Sequence, residues 1–147
     1  MLPRSQLNNA ELDALVATAT LIESDSYGPK VYRLDNGEYL KLFRRKRLLS
    51  SALLTPYSVR FCRNAARLQS LGIPTIEPLA LYQLADSAWT AVHYRALQGD
   101  TLKDLCKQEE LFSPDLLPDL IAFFHTLHKK GIYFRSLHLG NIVLTPE

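Results

Sequence analysis

Val31-Tyr32-Arg33-Leu34-Asp35-Asn36-Gly37-Glu38-Tyr39-Leu40-Lys41-Leu42-Phe43 carries the clearest structural signal in the chain. Two apolar-rich runs flank Asp35-Asn36-Gly37, and Asn-Gly is a favoured tight turn between antiparallel strands. Side chains of a strand alternate between its faces, so Tyr39, Lys41 and Phe43 share one face and Leu40 and Leu42 the other. A lysine therefore projects from the middle of a strand, on the same face as two aromatics.

Working outward, residues 8–17 read as a short helix, with Asn8 or Asn9 as cap and Leu12, Leu15 and Val16 on one face. Thr18–Glu23 is β-branched enough for a strand, and Asp25-Ser26-Tyr27-Gly28-Pro29 breaks it as a turn. Downstream, a helix is expected from Pro56 to Leu71. Val59, Cys62, Ala66 and Leu71 contribute to its inward stripe, and Arg60, Arg63 and Arg67 lie largely outside. Gly72 ends it, and Ile73–Pro78 is extended because each proline disfavours helix at its predecessor. Leu79–Leu84 and Ala88–Ala96 form a second antiparallel pair around Ala85-Asp86-Ser87.

After Gly99 the pattern turns helical. Asp100 or Thr101 caps a short helix through Cys106, and Ser113-Pro114-Asp115 opens a long one. Leu117, Leu120, Ile121, Phe124 and Leu127 give the long helix an apolar face, and Gly131 ends it. Ile132–Thr145 reads as a loop between two short strands. The expected fold class is α+β. Residues 1–97 form a five-stranded antiparallel sheet with a short N-terminal helix and one long helix, and residues 98–147 form a partial helical lobe.

Composition narrows the function classes. The chain of 147 residues is 47% hydrophobic and 22% charged, which is ordinary for a globular protein with a real core. A net charge of +2 is too small to argue for nucleic acid. Five positive charges fall within the seven residues Lys41–Arg47, which read either as a solvated face or as a patch for phosphates or an anionic membrane surface. Cys62 and Cys106 have no disulfide or zinc spacing. His125 and His128 stand at helical i, i+3 spacing without a second pair to complete a metal site. No apolar run reaches the ~20 residues of a membrane span, and no signal-peptide core is present, so a cytoplasmic location is expected, with the inner membrane face as the surface in reach. None of the six glycines forms a GxGxxG or GxxxxGK[ST] loop, which removes the dinucleotide and P-loop readings.

The segment Leu127-His128-Lys129-Lys130-Gly131-Ile132-Tyr133-Phe134-Arg135-Ser136-Leu137-His138-Leu139-Gly140-Asn141-Ile142-Val143-Leu144 resembles a protein-kinase catalytic loop. The common pattern is a helix ending L-H-x-x-G-[IV], then H-R-D-L-x-x-x-N and a few aliphatics. Arg135, Leu137 and Asn141 match it, while Phe134 replaces the histidine and Ser136 the catalytic aspartate. Gly72-Ile73-Pro74-Thr75 and Phe134–Asn141 look most like bacterial lipopolysaccharide-kinase relatives, and more narrowly like the pseudomonad toluene-tolerance proteins.

The resemblance implies a bi-lobed protein-kinase-like fold, ATP and Mg2+ as cofactors, and an envelope sugar such as the lipopolysaccharide core as acceptor. It puts Lys41 in the place of the lysine that holds the α- and β-phosphates, and Asn64 roughly where that lysine's helix glutamate would stand. Tyr94 opens a hinge-like segment running to Thr101, and Asn141 is the metal-binding candidate. Ser136 is too weak an acid to serve as a base unaided, and His138, two residues on, is the nearby activating candidate as well as the occupant of the lysine position of ordinary kinases. The glycine-rich cover is missing, and the second metal-binding aspartate of kinases would lie beyond Glu147.

Two classes follow: an inactive kinase-like binding protein, favoured for this chain, and an active envelope-sugar kinase when full length. The apolar face of the long helix has few partners of its own. The 147-residue form is therefore expected either to self-associate through residues 115–145 or to be a fragment of a longer protein.

Overall fold

The hairpin closes through a three-residue loop. Gly37 N donates to Leu34 O at 2.9 Å and Leu34 N to Glu38 O at 2.8 Å. Gly37 sits at φ 80°, the left-handed conformation that glycine adopts without steric cost. The computed structural model describes residues 2, 4–44, 56–85, 89–107, 116–134 and 137–146. The chain divides into two units, Met1–Ala96 and Leu97–Glu147.

The first unit runs β1 (Arg4–Leu7), α1 (Asn9–Val16), β2 (Thr20–Asp25), β3 (Gly28–Arg33), β4 (Tyr39–Phe43), α2 (Tyr57–Ser70), β5 (Glu77–Leu84) and β6 (Thr90–Arg95). Its sheet has the order β1-β5-β6-β4-β3-β2, so the strand that follows α2 and its partner return to pair beside β4. The expected five antiparallel strands are present, but the sheet has six. Arg4-Ser5-Gln6-Leu7 adds a parallel edge strand against β5. Three of its four residues are exposed, so backbone pairing and the single contact of Leu7 with the core hold it, and no apolar alternation marks it in the sequence.

Each face of the sheet has its own helix. On one, Leu40 and Ala91 are fully buried and Leu34, Leu42 and Leu84 nearly so, with Leu12, Leu15 and Val16 of α1 packed over them. Asn8 is the cap of α1: its Oδ1 accepts from Glu11 N at 2.9 Å, and Glu11 Oε2 accepts from Asn8 N at 2.8 Å. On the other face, Leu81, Val92 and Tyr94 meet Cys62, Val59 and Phe61 of α2. The inward line of α2 is Ser58, Cys62 and Ala65, and Ala66, expected inside, is exposed. Ser58 is fully buried because Thr90 Oγ1 donates to its hydroxyl at 2.8 Å, which lets a serine lie against the sheet. Gly72, at φ 69°, ends α2, and Ile73 N donates back to Leu68 O at 2.9 Å.

In the second unit β7 (Asp100–Thr101) leads into α3 (Leu102–Lys107), followed by α4 (Leu116–Lys129) and β8 (Val143–Leu144). β8 pairs antiparallel with β7, and a 3-10 turn, Leu139–Asn141, precedes it. The first of the two short strands expected around this loop is not found among the described residues, where 132–134 are irregular. Thr101 is the cap of α3: Asp104 N donates to its Oγ1 at 3.1 Å, and its own hydroxyl donates to Asp104 Oδ2 at 2.6 Å. Gly131 closes α4 as Gly72 closes α2, with Ile132 N donating to Leu127 O at 2.9 Å. Leu127 is 1% exposed, whereas Leu117 and Ile121 are 62% and 52% exposed, so the expected apolar face of α4 is open over its first two turns. The expected Ser113-Pro114-Asp115 start of α4 and the Asp86-Ser87 turn lie outside the described residues.

Two stability measurements check this packing. Leu40→Ala should cost about 2–5 kcal/mol in urea unfolding, since Leu40 is fully enclosed between α1 and the sheet. Gly99→Ala should be strained on two counts. Its φ is 128°, and a Cβ there would stand 2.0 Å from Leu144 O. About 1–3 kcal/mol is expected, read as faster amide exchange at Leu102, whose N–H is bonded to Ile142 O; unchanged exchange would show that β7 and β8 do not depend on this approach.

Candidate functional site

The alternation along β4 delivers Lys41 to the α2 face, opposite Val92 of β6 and Val31 of β3. Aromatic rings surround that strip. Tyr39 stacks on Tyr94 at 5.6 Å, Phe61 meets Tyr94 edge-on at 5.5 Å, and Phe43 meets Phe61 at 5.4 Å. The Lys41 ammonium lies 5.7 Å from the centre of the Phe61 ring. Such a contact is worth roughly 0.5–2 kcal/mol.

Electrostatics around the lysine are unbalanced. Burial pushes the Lys41 pKa below its ordinary value, the Glu23 carboxylate holds it up in part, and the Lys30 ammonium pushes it further down. Glu23 is itself engaged with Lys30 at 2.5 Å, and this hydrogen bond leads in holding its carboxyl below the usual range. Tyr94, buried among the same rings, is pushed up to about 12 by burial, with Tyr39 and Glu23 adding to the shift. The hydroxyl therefore stays neutral at physiological pH. Among the described residues Lys41 has no ion-pair partner.

The β2–β3 turn beside this strip is clamped by Arg44. Its guanidinium bonds Asp25 Oδ1 at 2.5 Å and Pro29 O at 2.8 Å, and it lies 4.7 Å over the Trp89 ring. Gly28 follows at φ 114°. The Tyr27 amide leads in keeping the Asp25 carboxyl low, and Arg44 adds to it. The Asp25–Gly28 connection is thus an Asx-type turn, with Tyr27 N donating to Asp25 Oδ1 at 2.9 Å.

The sequence-predicted residues are only partly brought together. Lys41 and Tyr94 join one aromatic cluster through Phe61. Asn64 does not: it is exposed, on the side of α2 turned away from the buried line Ser58, Cys62 and Ala65, because it stands two residues from Cys62 and so half a turn round. The α2 side chain that Lys41 meets is Phe61. In the second unit His138 is extended and exposed, its carbonyl accepting from Asn141 N at 2.9 Å across the 3-10 turn, and Asn141 is exposed. Arg135 and Ser136 lie outside the described residues. Glu23 and Phe61 were missed by the sequence reading. Glu23 influences Lys41 only through the pairing of β2, β3 and β4 in register, which no local pattern announces.

The described residues do not fit magnesium-ATP. No carboxylate from α2 faces Lys41, and one amide oxygen, on Asn141, falls well short of the octahedral oxygen shell magnesium takes. Among the described residues no three His, Cys, Asp or Glu side chains gather where they could hold a metal ion. None of the described helices is long and apolar enough to cross a membrane. Comparison with protein-family models and with curated proteins finds no match for this chain.

Lys41→Met should stabilise the fold by about 0.5–2 kcal/mol, since it keeps the stem and removes a partly desolvated charge. The pH profile gives an independent check. A lysine whose folded pKa is depressed contributes stability that is present above its ordinary 10.5 and lost as pH falls through the folded value. Tyr94 contributes in the opposite sense, fully below its ordinary 10 and lost toward about 12. Chemical denaturation should therefore show stability rising with pH on the alkaline side below 10, and Lys41→Met should flatten that rise. A destabilised Lys41→Met protein with an unchanged profile would contradict this placement.

Proposed function

We propose that the chain is a kinase-like protein of the lipopolysaccharide-kinase type whose phosphoryl-transfer machinery is impaired, so that the fold serves as a binding scaffold. The observation that carries this reading is the pairing of Lys41 with the Phe61 ring at 5.7 Å. Lys41 stands on the third strand of the antiparallel meander β2–β3–β4, directly before the long helix α2, as the phosphate-holding lysine of kinases stands before its glutamate helix. That order supports the kinase-like part. The impairment follows from what α2 offers the lysine: an aromatic face cannot orient an ammonium toward phosphates as a carboxylate does.

Magnitudes favour the same conclusion. A lysine–phosphate contact contributes about 1.5–3 kcal/mol as a charge-assisted hydrogen bond. Micromolar affinity needs about 8.2 kcal/mol. Without a helix acid and a metal set, one ammonium leaves most of that difference unfilled. The Ser136 hydroxyl in the aspartate position is too weak an acid to act as the base.

Calorimetry with magnesium-ATP should show no micromolar binding, and a radiolabelled-phosphate assay should show no hydrolysis above buffer. Micromolar binding that Lys41→Ala abolishes would overturn the affinity part of the reading. Steady turnover lost in Ser136→Ala would overturn the inactivity.

A further inference from the structure

The charge of this chain is distributed very unevenly. Between Glu38 and Glu77 there is no acidic residue, yet the stretch holds Lys41, Arg44, Arg45, Lys46, Arg47, Arg60, Arg63 and Arg67. That stretch carries +8, while the rest of the chain carries −6, and only their near-cancellation makes the total +2. Where the fold exposes such a segment, it suits an anionic partner.

The fold puts three of these charges on a single surface. α2 buries Ser58, Cys62 and Ala65 against the sheet, and a turn of 3.6 residues then sends Arg60, Arg63 and Arg67 to the opposite side. Arg63 and Arg67 are exposed, and Asn64 lies between them. Tyr57, 45% exposed, begins the same side, with the Arg60 guanidinium 5.7 Å from its ring. The helix itself contains no acid beside Arg63 and Arg67.

We propose that the outward face of α2 is a docking surface for an anionic lipid leaflet, with Arg60, Arg63 and Arg67 at headgroup depth and Tyr57 at the interface. A leaflet suits this face better than a nucleic acid does. A planar leaflet needs only the one exposed side of a helix, which the outward face of α2 offers. The same acid-free stretch also carries Leu48, Leu49, Leu53 and Leu54, and basic residues interspersed with leucine and an interfacial aromatic are the composition of membrane-surface segments. This inference goes beyond the kinase-like reading and requires no nucleotide.

Sedimentation with vesicles tests it, in the absence of nucleotide. The full chain should pellet with vesicles of equal parts phosphatidylserine and phosphatidylcholine and stay in solution with phosphatidylcholine alone. Each arginine near an anionic leaflet is worth about a fivefold change in partition, so Arg63→Gln with Arg67→Gln should weaken binding about 25-fold. Raising the salt should weaken it as well. Both side chains are exposed, so the variant should melt as the parent does, which separates lost binding from lost folding. Equal binding to neutral vesicles would overturn the proposal. So would an unaffected α2 variant beside an Arg45→Gln, Arg47→Gln variant that no longer binds. Tighter binding to a single-stranded RNA homopolymer at the same salt, lost in the α2 variant, would overturn it in favour of a nucleic-acid face.

Discussion

Leu40 and Leu42 are enclosed beneath α1, between β3 and β6, and the two-residue period of a strand leaves Lys41 no side but the one beneath α2. Full burial of a leucine contributes roughly 1.5–3 kcal/mol. A one-residue slip of β4 would move both leucines to the α2 face and drive the ammonium into the α1 core. The aromatic cluster, the register that lets Glu23 act on Lys41, and the orientation of α2 all rest on this alternation. The site-like feature of the first unit is thus a consequence of core packing.

Once Lys41 is there, its environment is governed by what α2 can place opposite it. The helix must bury Ser58, Cys62 and Ala65, and this rotation brings Phe61 toward the lysine and turns Asn64 and the arginines outward. One rotation therefore sets Phe61 toward the lysine and builds a basic outer face. The two properties are linked through geometry and are not separate features of the sequence.

The second unit depends on close backbone approach. Gly99 has no Cβ, so Leu144 O can come against it, and the β7–β8 pair then directs Leu102 N to Ile142 O and places Thr101 to cap α3. Leu102, Leu105 and Leu127 are buried, while the first two turns of α4 present Leu117 and Ile121 to solvent.

What the sequence determined by itself was local. Asn36-Gly37 specified the hairpin, Asn8 or Asn9 the start of α1, Asp100 or Thr101 that of α3, and Gly72 and Gly131 the ends of α2 and α4, because each acts through bonds within a few residues of itself; the structure selects Asn8 and Thr101. The face on which Lys41 lies was equally legible, since a period of two needs no partner to define it. Tertiary structure decided the rest. It recruited Arg4–Leu7 as a parallel sixth strand through backbone bonds that carry no side-chain pattern, and it turned Ala65, not Ala66, inward. It also placed Glu23, not Asn64, within electrostatic reach of Lys41, because strand register and helix rotation are set by long-range packing and not by neighbours in the chain.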